Sequence, residues 1–164
     1  MRAGDRAGNS PSRGFTYVIV LLLVALLSLG LSITGPRWAD AAQREREDEL
    51  VRIGTLYAQA ITRYREASPG SLKQYPASLD NLLLDNRFVG TRRHLRRLYT
   101  DPLVPGRPLG IVRGADGSVR GVFSTSEAQP LRRTPLQIDG LAEMPPAAQY
   151  NQWVFMAKPI ASTS

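Results

Sequence analysis

His94 is the sole histidine of the chain and cysteine is absent, so imidazole chemistry of any kind rests on one residue. A Ser-His-Asp arrangement needs a base oriented by a carboxylate, and a zinc centre needs several nitrogen or sulfur ligands. Neither pattern surrounds His94, which reads as a surface or packing residue. Without cysteine there is no disulfide framework and no thiolate metal site. No glycine-rich phosphate loop of the Walker kind occurs. Glu47 and Glu49 lie in the charged run Arg44-Glu45-Arg46-Glu47-Asp48-Glu49, where nothing suggests a cleft. Arg44 with Asp48 and Arg46 with Glu49 are spaced for local pairing on a solvated helix face, each pair contributing a few tenths of a kcal/mol. The chain therefore reads as a non-enzyme, with no catalytic residue, metal ligand or cofactor expected. Its most distinctive polar feature is Arg92-Arg93-His94-Leu95-Arg96-Arg97. Arg92, Arg93, Arg96 and Arg97 can stay hydrated around a turn whose Leu95 and Leu98 face inward. They can also meet acidic faces of partner proteins or lipid headgroups, or, least favoured, grip nucleic-acid phosphates.

The elements that must carry these residues follow from hydropathy. No charge occurs from Gly14 to Pro36, between Arg13 and Arg37, and a bilayer core needs about 20 apolar residues in a helix. Nearly every face of that run is apolar, unlike the one-sided stripe of a helix buried in a soluble domain. A transmembrane helix is predicted over residues 15–36. Arg2, Arg6 and Arg13 outweigh Asp5 ahead of it, which predicts a cytoplasmic N-terminus and an external C-terminal part. A Sec-type signal peptide fits less well, because the run exceeds a usual h-region and no A-x-A-like site closes it.

Helical character continues through residues 37–67. Leu50, Ile53, Tyr57, Ile61 and Tyr64 recur at steps of three and four and predict one buried face. A single helix from about Phe15 to about Glu66 would be roughly 75 to 80 Å long. Ser68-Pro69-Gly70 should stop it. Ser78 is the expected N-cap of a short leucine helix, and a further helical turn is expected over Arg92 to Leu98. Beyond Pro102 the period changes to alternation, giving a hairpin over 109–124 about Asp116-Gly117 and a C-terminal strand over 152–157. The proline-bearing stretch between them should be irregular. The expected fold class is α+β: a long N-terminal helix, membrane-spanning in its first half, on a small antiparallel sheet in a head of residues 68–164. A hydrophobic share of 43%, with 21% charged residues, suits such a packed head and excludes a disordered chain. The net charge of +7 favours anionic partners.

A basic leader over 1–14 ending in Arg13-Gly14, followed by Phe15-Thr16-Tyr17 and the apolar run, resembles the class III signal of type IV pilins and type II secretion pseudopilins. The resemblance implies cleavage between Gly14 and Phe15 by a prepilin peptidase, with methylation of the new N-terminus. Gly35-Pro36 resembles the proline-bearing stretch of pilin helices. Tyr75-Pro76, Arg97-Leu98-Tyr99-Thr100-Asp101-Pro102, the hairpin and the late Trp153 extend the likeness to the major pseudopilin family. Ile19 stands where that family carries a glutamate, a departure shared with some minor, tip-located pseudopilins. The family's calcium loop has no counterpart here, since Glu127, Asp139 and Glu143 are not clustered as an oxygen cage requires. Taken together, the resemblance implies a structural pseudopilin of a type II secretion or type IV pilus-like machine, with Ile19 moving the reading toward a minor subunit and the choice between major, minor and tip left open. It would sit in the bacterial inner membrane as a single-pass protein with a periplasmic head. Tyr17, Val18, Ile19, Gly30 and Pro36 would belong to the helix that packs into a periplasmic filament. Its partners would be other pseudopilins, inner-membrane assembly components and the peptidase. The alternative is a minor pilin that binds nucleic acid or a partner through Arg92 to Arg97.

Overall fold

The computed structural model describes residues 13–32, 35–138, 141 and 143–158. Residues 1–12 of the expected leader, Ile33 and Thr34 of the expected span and residues 159–164 of the expected head lie outside them. The chain divides into two compact units, Met1–Ala41 and Ala42–Ser164.

In the first unit lies helix α1, Arg13–Ser32. Helix α2, Gly35–Glu66, begins in that unit and runs into the second. Of the single helix expected from Phe15 to Glu66, residues 15–32 and 35–66 are helical, and Ile33 and Thr34 between them lie outside the described residues. Pro36 lies within α2. One correction concerns the membrane. Among the described residues no helix is long and apolar enough to cross one. The expected membrane-spanning fold, the transmembrane helix over 15–36 and the single-pass inner-membrane placement with a periplasmic head are overturned by this finding.

The second unit is built on the C-terminal part of α2. Leu50, Ile53, Tyr57, Ile61 and Tyr64 are buried along one face, with Ala58 and Ala60 beside them. The helix ends where Ser68 Oγ exchanges hydrogen bonds with the backbone of Gln74. Lys73 Nζ donates to the carbonyls of Glu66 and Ser68 at 3.0 and 3.2 Å, a cation satisfying the terminal acceptors. Helix α3 is a single turn, Asp80–Leu83. The Ser78 cap expected there is corrected: Ser78 donates its N–H and hydroxyl to Asn81 Oδ1 and no side chain caps the helix.

Strands β1 (Gly110–Arg113), β2 (Val119–Phe123) and β3 (Val154–Met156) form an antiparallel sheet in the order β1-β2-β3. Ile111 pairs with Val122, and Val122 with Phe155. The β1–β2 turn places Gly117 at φ 75°, a conformation that glycine adopts without steric cost, and Asp116 Oδ1 accepts the Ser118 hydroxyl at 2.7 Å. Val119, Val122 and Phe155 enter one core with the α2 face, Leu82, Leu95, Leu109, Tyr150 and Trp153.

Three buried carboxylates fasten the connections. Asp101 accepts from Ser124 Oγ at 2.7 Å, from the Thr125 N–H at 2.8 Å and from the Leu103 N–H at 2.9 Å. Glu47 accepts the Leu131 N–H at 2.5 Å and the Tyr150 hydroxyl at 2.7 Å. Asp85 holds Arg87 and His94. The expected local pairs of the charged run are corrected by the same geometry. Glu49 bonds Arg52, Asp48 meets Arg132 at 3.4 Å, and Glu47 is buried in the head.

Candidate functional site

Two surfaces stand out, one in each unit. On α1 the large apolar side chains are open to solvent. Phe15 is 66% exposed, Tyr17 73%, Val18 62% and Ile19 42%, and Leu21, Leu22, Leu23, Leu26 and Leu27 are exposed as well. Consecutive helical positions are about 100° apart, so these residues cover the whole circumference. Gly14 and Gly30 lie within the same helix, and Pro36 lies within α2.

In the second unit a groove of about 960 Å³ opens between α2 and the segment 92–99. The segment is irregular, which corrects the helical turn expected over Arg92 to Leu98. Its backbone donors are engaged elsewhere: the His94 and Leu95 N–H groups both donate to the Leu82 carbonyl, at 2.8 and 2.9 Å. The Tyr99 N–H donates to Tyr57 Oη at 2.8 Å, and that hydroxyl donates back to the Tyr99 carbonyl at 3.3 Å. Asp85 N–H donates to the Arg92 carbonyl.

Beneath this backbone sits a polar cluster. His94 Nε2 lies 3.0 Å from Asp85 Oδ2, with side-chain exposures of 6% and 0%. Arg87 donates to both Asp85 oxygens at 2.8 and 2.7 Å, to Ser68 Oγ and to the Tyr64 carbonyl. Its guanidinium also stacks over the Tyr64 ring at 3.5 Å. Hydrogen bonds from Arg87, reinforced by His94, hold the Asp85 carboxyl well below the usual carboxylate range despite its burial. His94 is therefore a buried anchor of the segment, where the sequence suggested a surface or packing position. The neighbouring Asp85-Asn-Arg87 spacing carried the available signal, since Asp85 Oδ1 also accepts the Arg87 N–H in the manner of an Asx turn.

The groove unites Arg92, Arg93 and Arg96 with Arg63 of α2, which the sequence did not single out. Arg63 donates to the His94 carbonyl at 3.1 Å. Arg97 departs from the group and lies 5.0 Å from the Tyr99 ring centre. Leu56, Ala67, Leu95 and Tyr99 supply the apolar floor, and Glu66 is the only carboxylate at the rim. Among the described residues none of the four groove arginines forms an ion pair. Such an arrangement is suited to holding an anion against an apolar surface, with guanidinium forks as donors.

No family model, no curated protein and no solved structure matches the chain.

Proposed function

We propose that the chain is a structural subunit of the pseudopilin type, processed between Gly14 and Phe15, that assembles by packing α1 against the like helices of sister subunits. The observation that carries this reading is the apolar circumference of α1, exposed from Phe15 to Leu27. Apolar area removed from water contributes about 25 cal/mol per Å², so a helix bare on every side gains most when several neighbours surround it. Ile19 replaces the family's glutamate within that surface. With no carboxylate there, register between neighbouring helices rests on side-chain shape, and the residue fits a minor subunit more readily than the main repeat. The head contributes a folded body in which the buried face of α2 packs with a three-stranded sheet. On this reading the function is mechanical, and the Gly14–Phe15 bond is the point of maturation.

The absence of cysteine makes the test clean. Val18→Cys and Leu22→Cys, introduced singly into the full chain in the producing cells, should give oxidised crosslinks to other α1-bearing subunits. Gln59→Cys, on the exposed side of α2, serves as the comparison site. Mass spectrometry of the same material should find Phe15 as the first residue, and Gly14→Ala should leave the Gly14–Phe15 region uncut. Monomer at both α1 sites together with an uncut N-terminal region would sink the proposal.

A further inference from the structure

We infer that the groove between α2 and segment 92–99 is a docking site for an acidic peptide segment of a partner protein, one that carries carboxylates around an aliphatic anchor. The inference does not rest on the reading of α1, because every residue of the groove lies in the unit Ala42–Ser164.

Charge points to the ligand's sign. Four arginines and one glutamate line the opening, and no carboxylate of the described residues pairs with those arginines. Elsewhere in the head Arg52 pairs with Glu49, Arg87 with Asp85, Arg120 with Asp116 and Arg132 with Asp48, while cations such as Arg107, Arg113 and Arg133 form no ion pair among the described residues. The groove differs in gathering four of the latter kind around one opening. An incoming carboxylate would meet guanidinium forks able to bind it in bidentate fashion.

Rigidity favours binding as well. The backbone bearing Arg92, Arg93 and Arg96 is fixed by hydrogen bonds to Leu82, Asp85 and Tyr57, and His94 is held by the buried Asp85. Part of the ordering cost of binding is therefore met in the fold, which favours affinity.

The floor decides the class of ligand. Leu56, Ala67 and Leu95 offer aliphatic contact, a surface that suits a leucine-like side chain. A nucleic-acid strand relies on bases stacked on open aromatic faces. Tyr99 is the only aromatic ring lining the groove besides His94, and it already has Arg52 and Arg97 near its ring at 5.7 and 5.0 Å and Tyr57 against it edge-on. His94 is buried against Tyr64. Base stacking thus has no open platform, while an anchored acidic peptide finds both of its complements.

The test is fluorescence anisotropy on the full chain in non-ionic detergent. The probe is a short labelled peptide of glutamates and leucines, compared with versions carrying glutamine for glutamate or serine for leucine and with an oligothymidine strand. The glutamate–leucine peptide should bind, and either replacement should weaken it by about tenfold or more. Arg93→Gln combined with Arg96→Gln should weaken it by a similar factor without moving the thermal midpoint. Neither side chain makes a hydrogen bond, ion pair or ring contact among the described residues. Should that variant lose its fold, the glutamine peptide makes the same comparison on the unaltered chain. The inference is overturned if the peptide fails to bind, if it binds regardless of its glutamates, or if oligothymidine binds as tightly. The crosslinking of α1 is unaffected by any of these outcomes, so the two proposals fail separately.

Discussion

Replacing Gly54 by alanine sets helix propensity against packing, and the structure says which wins. Gly54 lies inside α2, where alanine is favoured over glycine by about 1 kcal/mol. A Cβ at that position, however, would fall far inside 3.0 Å of Cγ, Cδ1 and Cδ2 of Phe155. Rotation of the ring about χ2 leaves Cγ where it is, so the clash is relieved only if the whole side chain moves. Phe155 is 1% exposed and sits on β3, opposite Val122 of β2, so that movement displaces a strand or empties the core. Overpacking costs about 1–3 kcal/mol, and losing a buried phenylalanine about 3–5 kcal/mol. Subtracting the helical gain, expulsion of the ring gives a net loss of about 2–4 kcal/mol. In urea denaturation of the full chain in non-ionic detergent, that loss lowers the midpoint by about 1–3 M, taking a slope of about 1.5 kcal/mol per M. The sign should reverse in a second background. With Phe155→Ala in place the obstruction is gone, and adding Gly54→Ala should stabilise by about 1 kcal/mol. A single Gly54→Ala variant as stable as the parent, or one that destabilises equally in both backgrounds, would refute the reasoning.

Asp85→Asn should destabilise the head by roughly 3 kcal/mol, because Arg87 loses the partner that compensates its partial burial. The folded carboxyl titrates below its unfolded value, so its contribution is complete above the unfolded pKa of about 3.9 and fades as pH falls toward the folded one. Urea midpoints measured between about pH 2 and pH 6 should decline with acid in the parent and decline less in the variant; parallel curves would discount the pair. Glu47→Gln weakens acceptance from the Leu131 N–H and the Tyr150 hydroxyl and should cost roughly 1–3 kcal/mol. Burial pushes the Tyr150 hydroxyl up to about 12, with Glu47 adding to the rise against Gln43. The neutral phenol therefore stabilises the fold below about pH 10, its unfolded value, and that benefit is lost as pH rises through the folded one. In an ultraviolet titration, Glu47→Gln should move the last tyrosine transition to lower pH, and an unmoved transition would separate Glu47 from Tyr150.

Where local pattern and tertiary demand agree, this chain is readable from its residues. The α2 stripe from Leu50 to Tyr64 has a helical period, and those side chains are buried. Asp116-Gly117 supplies the positive φ that the β1–β2 turn adopts. Segment 92–99 is a case of disagreement: its leucine spacing suits a helix, yet Leu82 presents a single carbonyl that takes two successive N–H groups. Long-range hydrogen bonding overrides a weak local preference. The apolar run after Arg13 suggests one membrane-spanning helix, yet among the described residues no helix is long and apolar enough to cross a membrane. At the groove, Arg92, Arg93 and Arg96 form a visible cluster in sequence. Arg63 does not join it there, because an exposed arginine on a helix carries no sign of the segment that folds beside it.

The buried acids are hidden in sequence for a related reason, and their placement shows what they do. A small head without cysteine must hold its long connections by other means. Glu47, Asp85 and Asp101 each reach from one element to backbone or side-chain donors of another, tying residues 131 and 150 to α2, residue 94 to residue 85, and residues 124 and 125 to residue 101. A carboxylate accepts several hydrogen bonds at once, and each is stronger than its neutral counterpart. One acid can therefore order a loop that offers little apolar area. In sequence each looks like an ordinary surface charge, since its donors lie as many as 103 residues away. Of these three acids Asp85 alone contacts the arginine-bearing segment, through His94, so its loss should loosen the groove, whereas loss of Glu47 or Asp101 should loosen connections on which the groove does not depend.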